Sequence, residues 1–409
     1  MLTVFDTGFM PITTQFIILS DLHLAAGYSP QTDTYERTES FFHDAAFAHF
    51  LQSIIAQAAQ EDALVHLLLL GDLFDFLRVA PIPGGKIYPP DTSEVATLQK
   101  LERIAAGHPV FFQTLGAFVA AGGRLDILPG NHDIELIRPS AQTRLIELIA
   151  GSSNLSSMSQ QVTFFPWIYY VPGVFYAEHG QQQHELNAFK TLLTPYRRHH
   201  PEQIELPLGS YLDQYLFKPS RPKNLPPVPA PSFTRRLQAV GVALRHFSRL
   251  FSAPQAVRAA YHEQVLKPYA AEIGLNAPLL VALDDLSQGS PLSLARRIIR
   301  QQIVKRSQPS GDYLFEAARP IYALLRANHL AVPYLVFGHT HRAAYLPLLA
   351  DSPAPLYLNA GSPAGSLASG GRLPEGHLPF ISIRHNADKS TIQASLLSWN
   401  EPLRQIDRL

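Results

Sequence analysis

The stretch Leu67-Leu68-Leu69-Leu70-Gly71-Asp72-Leu73-Phe74-Asp75 leaves this chain few folds to choose from. Four leucines in a row, closed by a glycine, read as a strand of a parallel sheet buried on both faces. Such a strand delivers Asp72 and Asp75 at its C-terminal end, which is where open α/β sheets hold their chemistry. On this motif alone, two aspartates capping the following turn explain the pattern equally well. The balance shifts because other strand ends along the chain supply the partners a bridging carboxylate needs.

Phe16 to Ser20 is a short apolar strand that runs into Asp21-Leu22-His23. Side chains alternate along an extended chain, so Asp21 and His23 point the same way and can grip one metal ion. From Phe41 to about Gln60 apolar residues recur at helical spacing, which makes the first third a βαβ unit. Pro81 to Pro90 is a loop, and residues 93 to 121 read as two helices broken at Gly107-His108-Pro109. The strand Arg124 to Pro129 ends in Gly130-Asn131-His132-Asp133, where an amide, an imidazole and a carboxylate emerge together after a glycine turn. A helix near 140 to 150 follows. Val162 to Trp167 and Val174 to Glu178 then read as strands joined through the turn Val171-Pro172-Gly173, and the second ends at His179-Gly180.

Composition restricts the chemistry. The 409 residues include no cysteine, so disulfides, thiolate nucleophiles and zinc-thiolate sites are excluded, and any metal must be held by oxygen and imidazole nitrogen. The formal net charge of zero hides an asymmetry: residues 1 to 180 carry 8 Lys+Arg against 18 Asp+Glu, residues 181 to 330 carry 19 against 10, and residues 331 to 409 carry 6 against 5. A basic middle block between acidic and neutral parts points to a separate task for it. Three segments follow, 1–180, 181–330 and 331–409, with the middle one read as a helical, Pro-punctuated insertion. Within it lie a loop-rich passage from Pro219 to Pro231, an amphipathic helix from Phe233 to Phe251, and a helix crowded with Arg296, Arg297, Arg300, Lys305 and Arg306. A solvated basic face accounts for these; so does a cap that receives an anionic or lipid-bearing substrate or rests on an anionic membrane. No leader with a basic and then an apolar region precedes residue 15, and no apolar run has the length of a membrane span, so a cytoplasmic protein, at most peripheral to the membrane, is expected.

Pro333 to Phe337 restores the sheet and ends in Gly338-His339-Thr340-His341, the most informative single motif in the chain. Short β segments follow at about 343–348, 355–359, 379–385 and 391–398, with the polar turn Asn359-Ala360-Gly361-Ser362 between two of them. D-x-H, G-D-x-x-D, G-N-H-D, a later His-Gly and G-H-x-H thus occur in that order, each at a strand end. In this the chain resembles the calcineurin-like metallophosphoesterases over residues 16–180 and 330–398. The resemblance implies an α/β fold, a four-layer αββα sandwich with a large helical insertion, and a dinuclear metal site in the strand-end loops. Carried over by position, Asp21, His23 and His341 hold one metal, Asn131, His179 and His339 the other, with Asp72 bridging and Asp75 orienting from behind. His132 is then placed to protonate the leaving oxygen or to stabilise charge in the transition state, with Asp133 holding its ring. Histidines outside the motifs receive no role; His184 sits close enough to His179 to line the pocket, although a surface helix residue is the better reading.

Two ions about 3.5–4 Å apart polarise a phosphoryl group and generate a bound hydroxide for in-line attack. The donor set suits manganese first, with iron, zinc and cobalt compatible. The expected activity is hydrolysis of a phosphate ester or pyrophosphate. In the related branch that hydrolyses UDP-2,3-diacylglucosamine, a helical insertion occupies the same interval and an Asn-x-Gly-Ser follows G-H-x-H. That similarity implies a lipid-linked or nucleotide-sugar substrate, although arginine typically stands there where this chain has His132. Two alternatives remain: a nuclease of the same metal chemistry, its basic block tracking a nucleic-acid backbone, and a scaffold that has kept the fold without catalysis.

Overall fold

The computed structural model describes residues 13–87, 89–151, 155–197, 200–216, 261–287, 312–349, 354–367 and 376–409, with a few short pieces between them. Apart from such pieces, the Pro219 to Pro231 passage, the Phe233 to Phe251 helix and the helix around Arg296 to Arg306 lie outside the described residues.

The chain opens with β1 (Thr13–Leu19), a two-strand ribbon of β2 (Tyr28–Ser29) and β3 (Thr34–Tyr35), then α1 (Asp44–Glu61) and β4 (Ala63–Leu70). Next come α2 (Glu94–Gly107) and α3 (Pro109–Ala120), divided at His108 because Pro109 has no N–H to continue a helix and is suited to begin one. β5 (Arg124–Leu128), α4 (Pro139–Ala150), α5 (Leu155–Ser159) and β6 (Val162–Phe164) complete the first half. β7 (Ile168–Val171) and β8 (Phe175–Glu178) follow, then the hairpin of β9 (Tyr196–Arg197) and β10 (His200–Ile204), and α6 (Leu208–Leu216). After that come α7 (Lys267–Glu272), entered through a π turn, α8 (Ala277–Ser287) and α9 (Tyr313–Ala327). The remainder is mostly β: β11 (Tyr334–Phe337), β12 (Arg342–Pro347), β13 (Leu356–Asn359), β14 (Ser366–Leu367), β15 (His377–Asn386), β16 (Thr391–Asn400) and β17 (Gln405–Arg408).

These strands form two main mixed sheets. The first has seven strands in the order β17-β16-β15-β1-β4-β5-β6, with β1, β4, β5 and β6 parallel and β15 to β17 antiparallel. The second has six in the order β14-β12-β13-β11-β8-β7, with β8, β11 and β13 parallel.

The leucine run shows how they pack. Leu67 and Leu69 enter one apolar cluster with Phe47, Phe50, Phe111 and Leu145 of α1, α3 and α4. Leu68 and Leu70 enter another with Phe175, Val336 and Leu358 of the second sheet. A period of two sends alternate side chains to opposite faces, so a strand with no polar face needs cover on both sides. A third cluster lies on the far face of the second sheet, where Tyr176, Leu335 and Phe337 meet Leu280 of α8 and Leu314, Ile321 and Leu325 of α9. The two sheets therefore share one core, and each carries helices on its outer face.

Two expectations need correction. Val162 to Trp167 is not one strand: β6 stops at Phe164 in the first sheet and β7 begins at Ile168 in the second. Pro166 explains the break, since it cannot donate to a sheet ladder and the chain changes sheets around it. The turn at Val171-Pro172-Gly173 consequently joins β7 to β8. The described part of residues 181–330 is also not wholly helical, because β9 and β10 form a hairpin there. Phe189, Leu192 and Ile204 from this stretch share the outer cluster of the second sheet. Among the described residues, no helix is long and apolar enough to cross a membrane.

Candidate metal centre

Five loops meet where β1, β4, β5, β8 and β11 end. Backbone bonds lock the first two side by side: Asp21 N donates to Gly71 O at 3.1 Å, His23 N to Asp72 O at 2.9 Å and Asp75 N to Leu24 O at 2.8 Å. The loop after β11 is tied to the one after β8 by Gly338 N donating to His179 O at 3.0 Å. Parallel strands within each sheet put all these ends on one edge, and the shared core brings the two edges together.

Asp21, His23 and His341 present ligand atoms within 4.8 Å of one another, and so do Asp72, His179 and His339. Asp21 is fully buried; its Oδ2 accepts from Ser20 Oγ at 2.6 Å and from His339 N at 2.8 Å. Its Oδ1 accepts no hydrogen bond and lies 3.3 Å from His341 Nε2 and 3.8 Å from His23 Nε2. Asp72 Oδ1 accepts from His132 N at 2.8 Å, while Oδ2 stands 3.3 Å from His179 Nε2 and 3.7 Å from His23 Nε2, one from each group. Asn131 follows Gly130 and precedes His132; its Oδ1 is buried without a hydrogen-bond partner. His179 Nδ1 donates to Leu70 O at 2.8 Å, which turns its Nε2 inward, and that atom is also buried without a partner.

Space at two glycines is set by these carboxylates. A Cβ on Gly130 would fall 2.1 Å from Asp72 Oδ1, and one on Gly338 would fall 1.9 Å from Ser20 Oγ and 2.8 Å from Asp21 Oδ2. Backbone strain gathers here too. Ten non-glycine residues among those described have positive φ, and five of them are Asp21, His23, Asp72, His339 and His341. Each left-handed non-glycine residue costs on the order of 1 kcal/mol or more, a cost that persists only where the surroundings enforce it.

The protons are contested. Burial, helped by His132, pushes His23 down to about 4. Burial and the neighbouring His179 and His184 push His339 well below the imidazole range. Burial also opposes charge on His179 and His132, but Asp72 and Asp21 raise the first to about 10, and Asp75 and Asp72 raise the second to about 9. Against the desolvation of their buried sites, the rings hold Asp21 down to about 2 and Asp72 well below the carboxylate range. A divalent cation meets such a centre better than protons do, because it neutralises the carboxylates and requires neutral rings. The three partnerless atoms, Asp21 Oδ1, Asn131 Oδ1 and His179 Nε2, are all oxygen or imidazole nitrogen donors. The residues present therefore fit a pair of divalent ions.

Asp75 and Asp133 differ in their parts. Asp75 Oδ1 accepts from His132 Nδ1 at 2.9 Å and so aims that ring. Asp133, expected on the His132 ring, instead accepts from three backbone amides, Gly130 N at 2.6 Å, Leu73 N at 2.8 Å and Phe74 N at 3.2 Å. It fastens the loop after β5 to the loop after β4. The reason is geometric: a carboxylate beside the glycine turn lies nearest to bare N–H groups, and burial with Asp72 close by raises it to about 7.

No protein-family model matches this chain, and no curated protein is significantly similar to it.

Sequence reasoning missed Asn187 and Asp312 at the centre and gave no metal-site role to His184 or Asn359. The Asn187 amide lies 3.1 Å from His339 Nε2, and the His184 ring stands 5.6 Å from that of His339 and 5.2 Å from Tyr313. Asp312, before α9, accepts from Tyr357 Oη and faces Thr340 Oγ1 at 3.4 Å, between the two histidines. Asn359 Nδ2 donates to Gly338 O at 2.8 Å. For Asn187, position eight residues beyond His179 was the one available signal.

Proposed function

We propose that this chain is a phosphohydrolase that uses two divalent metal ions, manganese in the first instance, to cleave a phosphate ester or pyrophosphate. The observation that carries the reading is Asp72 Oδ2, set between the two histidine-carboxylate groups at 3.3 Å and 3.7 Å from one ring of each. The order helices, sheet, sheet, helices, with the site on one sheet edge, supports the αββα sandwich of the calcineurin-like metallophosphoesterases as the frame for this chemistry.

Asp21, His23 and His341 would hold one ion, Asn131, His179 and His339 the other, and Asp72 both. When bound, the ions supply Lewis-acid polarisation of the phosphoryl oxygens. The chain's own contribution is to place charge and protons. Asp72 would screen the repulsion between two nearby cations, while rings made neutral by the metals and the Asn131 amide would avoid further negative charge against an anionic substrate. His132, held through Nδ1 by Asp75, keeps Nε2 for the leaving oxygen, to which it delivers a proton as the P–O bond breaks. Asp133 and the glycines hold the loops at the spacing these contacts need.

The substrate is proposed as a phosphorylated small molecule or a lipid-linked nucleotide sugar, received by the segment between His179 and Gly338. Manganese-loaded protein should hydrolyse bis-p-nitrophenyl phosphate, lose that activity to a chelator and recover it on adding the metal back. Asp72→Asn, which keeps the size and tolerates the left-handed backbone, should lower kcat by about 100-fold or more with the circular dichroism spectrum unchanged. Parallel assays on UDP-diacylglucosamine and on single-stranded DNA separate the lipid and nucleic-acid readings. A wild-type protein with no chelator-sensitive hydrolysis of any of the three would sink the proposal and favour a scaffold.

A further inference from the structure

Histidines that bind metals through one ring nitrogen almost always have the other nitrogen held, which fixes the tautomer and the direction of the lone pair. His179 has its Nδ1 on Leu70 O at 2.8 Å and His132 has its Nδ1 on Asp75 at 2.9 Å, so both rings turn Nε2 outward from those partners. His339 is arranged the other way round. Its Nε2 is the nitrogen engaged, by the Asn187 amide at 3.1 Å, so Nδ1 is the nitrogen left to offer to the group that His339 forms with Asp72 and His179.

Resting on the proposed metal centre, we infer that Asn187 is a positioning residue for the second ion: its side-chain oxygen accepts from Nε2–H of His339 and thereby commits Nδ1 to the metal. The structure sets Asn187 Nδ2 against Nε2 at 3.1 Å, but the two ends of an amide are nearly isosteric and the contact admits either orientation. The ligand role decides between them. If the amide nitrogen donated to Nε2, the ring proton would sit on Nδ1 and no lone pair would face the centre. With the oxygen on Nε2–H, the lone pair at Nδ1 is free to coordinate.

Asn187 is itself held in place. Its N–H donates to His184 O at 3.0 Å, and Gly209 N donates to Leu186 O at 2.5 Å. A Cβ on Gly209 would fall 1.7 Å from the end of the Asn187 amide that faces away from His339, so only glycine allows α6 this close. At Asp213, α6 is also bound by Arg78, whose Nε lies 3.7 Å from Asp75 Oδ2. Residues of the 181–330 stretch thus reach the centre from both sides, through Asn187 to His339 and through Asp213 and Arg78 to Asp75. The segment read as a substrate cap takes part in assembling the metal site.

The test uses zinc, which is diamagnetic, with the full chain. Competition against a chromogenic chelator should show two zinc ions on the wild type. Asn187→Leu should weaken one of them by 10- to 100-fold and leave the other unchanged, the usual cost of removing such a partner. Asn187→Asp keeps an acceptor and cannot donate, so it should hold both ions. In the zinc-loaded, 15N-histidine-labelled protein, the resonances lost in His339→Gln should report a protonated Nε2 and a metal-shifted Nδ1. Two tight zinc ions on a folded Asn187→Leu protein, a folded Asn187→Asp protein that loses one, or a protonated Nδ1 on His339 would each overturn this inference alone. A wild type that binds no zinc would overturn the metal centre along with it.

Discussion

At the scale of single residues, the centre is built by crowding. Gly130 and Gly338 are pressed against Asp72 and Asp21, so the glycines of G-N-H-D and G-H-x-H make room for carboxylates rather than for a turn alone. Gly130→Ala should displace the Asp72 carboxylate by around an ångström and lower kcat by about 100-fold, with a cooperative unfolding transition retained. An alanine variant as active as the wild type would show that the loop gives way freely. His341 offers a converse test, being 41 % exposed yet held at φ 57°. Relief of the left-handed strain, about 1–2 kcal/mol, should outweigh the extra unfolded-state freedom of glycine, about 0.5–1 kcal/mol. Metal-free His341→Gly should therefore be as stable as the wild type or up to about 1 kcal/mol more so in urea melts, while binding one ion fewer. The motif residues were legible because polar side chains at the ends of apolar strands have few other uses. Asp133 was misread because its partners Leu73 and Phe74 stand some 60 residues away on another loop. Asn187 and Asp312 follow no strand-end pattern at all.

At the scale of elements, two buried polar contacts decide how the loops are held. Asp312 caps α9 by accepting from Leu314 N at 3.0 Å, and it also satisfies the hydroxyl of the fully buried Tyr357. Asp312→Ala removes the cap and leaves that hydroxyl without an acceptor, though it still accepts from Asn359 Nδ2 at 3.1 Å, which should cost on the order of 2–3 kcal/mol by chemical denaturation. Asp312→Asn, whose oxygen can still accept from Leu314 N and whose amide nitrogen can donate to the Tyr357 hydroxyl, should cost less than Asp312→Ala. His108, at the joint of α2 and α3, lies 3.1 Å from Glu39 and 3.0 Å from Asp44. Burial disfavours its charge, but the two carboxylates win and raise it to about 9. A folded-state value above the unfolded one of 6.5 means that its stabilisation is complete below about pH 6.5 and is lost as pH rises through 9. Metal-free protein should accordingly lose on the order of 2 kcal/mol between pH 6.5 and 9.5 relative to His108→Gln, and parallel slopes for the two would dismiss the effect. Most elements in the first 150 residues were readable from periodicity and proline. The passage of the chain between sheets at Pro166 was not, because β6 and β7 are both apolar on their inner faces and periodicity does not say which sheet a strand joins. β17 was missed for the opposite reason, since Gln405-Ile406-Asp407-Arg408 carries one apolar residue and owes its place to pairing with β16.

At the scale of the whole molecule, the proposed ligands come from both sheets, so the centre exists only when the shared core is closed. Ions that bind the folded chain alone should then stabilise it globally, each by about 2.7 kcal/mol at a hundredfold excess over its Kd. Manganese should raise Tm by several degrees, EDTA should reverse the rise, and Asp72→Asn should lose most of it. A Tm that ignores both reagents would mean that the loops assemble without cations. The order of strands in the first sheet carries a further consequence. β1, which leads into Asp21 and His23, sits between β4 and β15, with Thr13 opposite Asn386 and Ile18 opposite Ile381. Gln15 donates to Ser382 across 367 residues of chain. At roughly 5–20 residues per second, the ribosome delivers β15 some twenty seconds to a minute after β1. For all that time the nascent chain has one edge of β1 unpaired, an apolar strand open to wrong partners, while His339 and His341 have yet to be made or have just emerged. With this topology the proposed ions can be loaded only after β11 and the two histidines that follow it have been made.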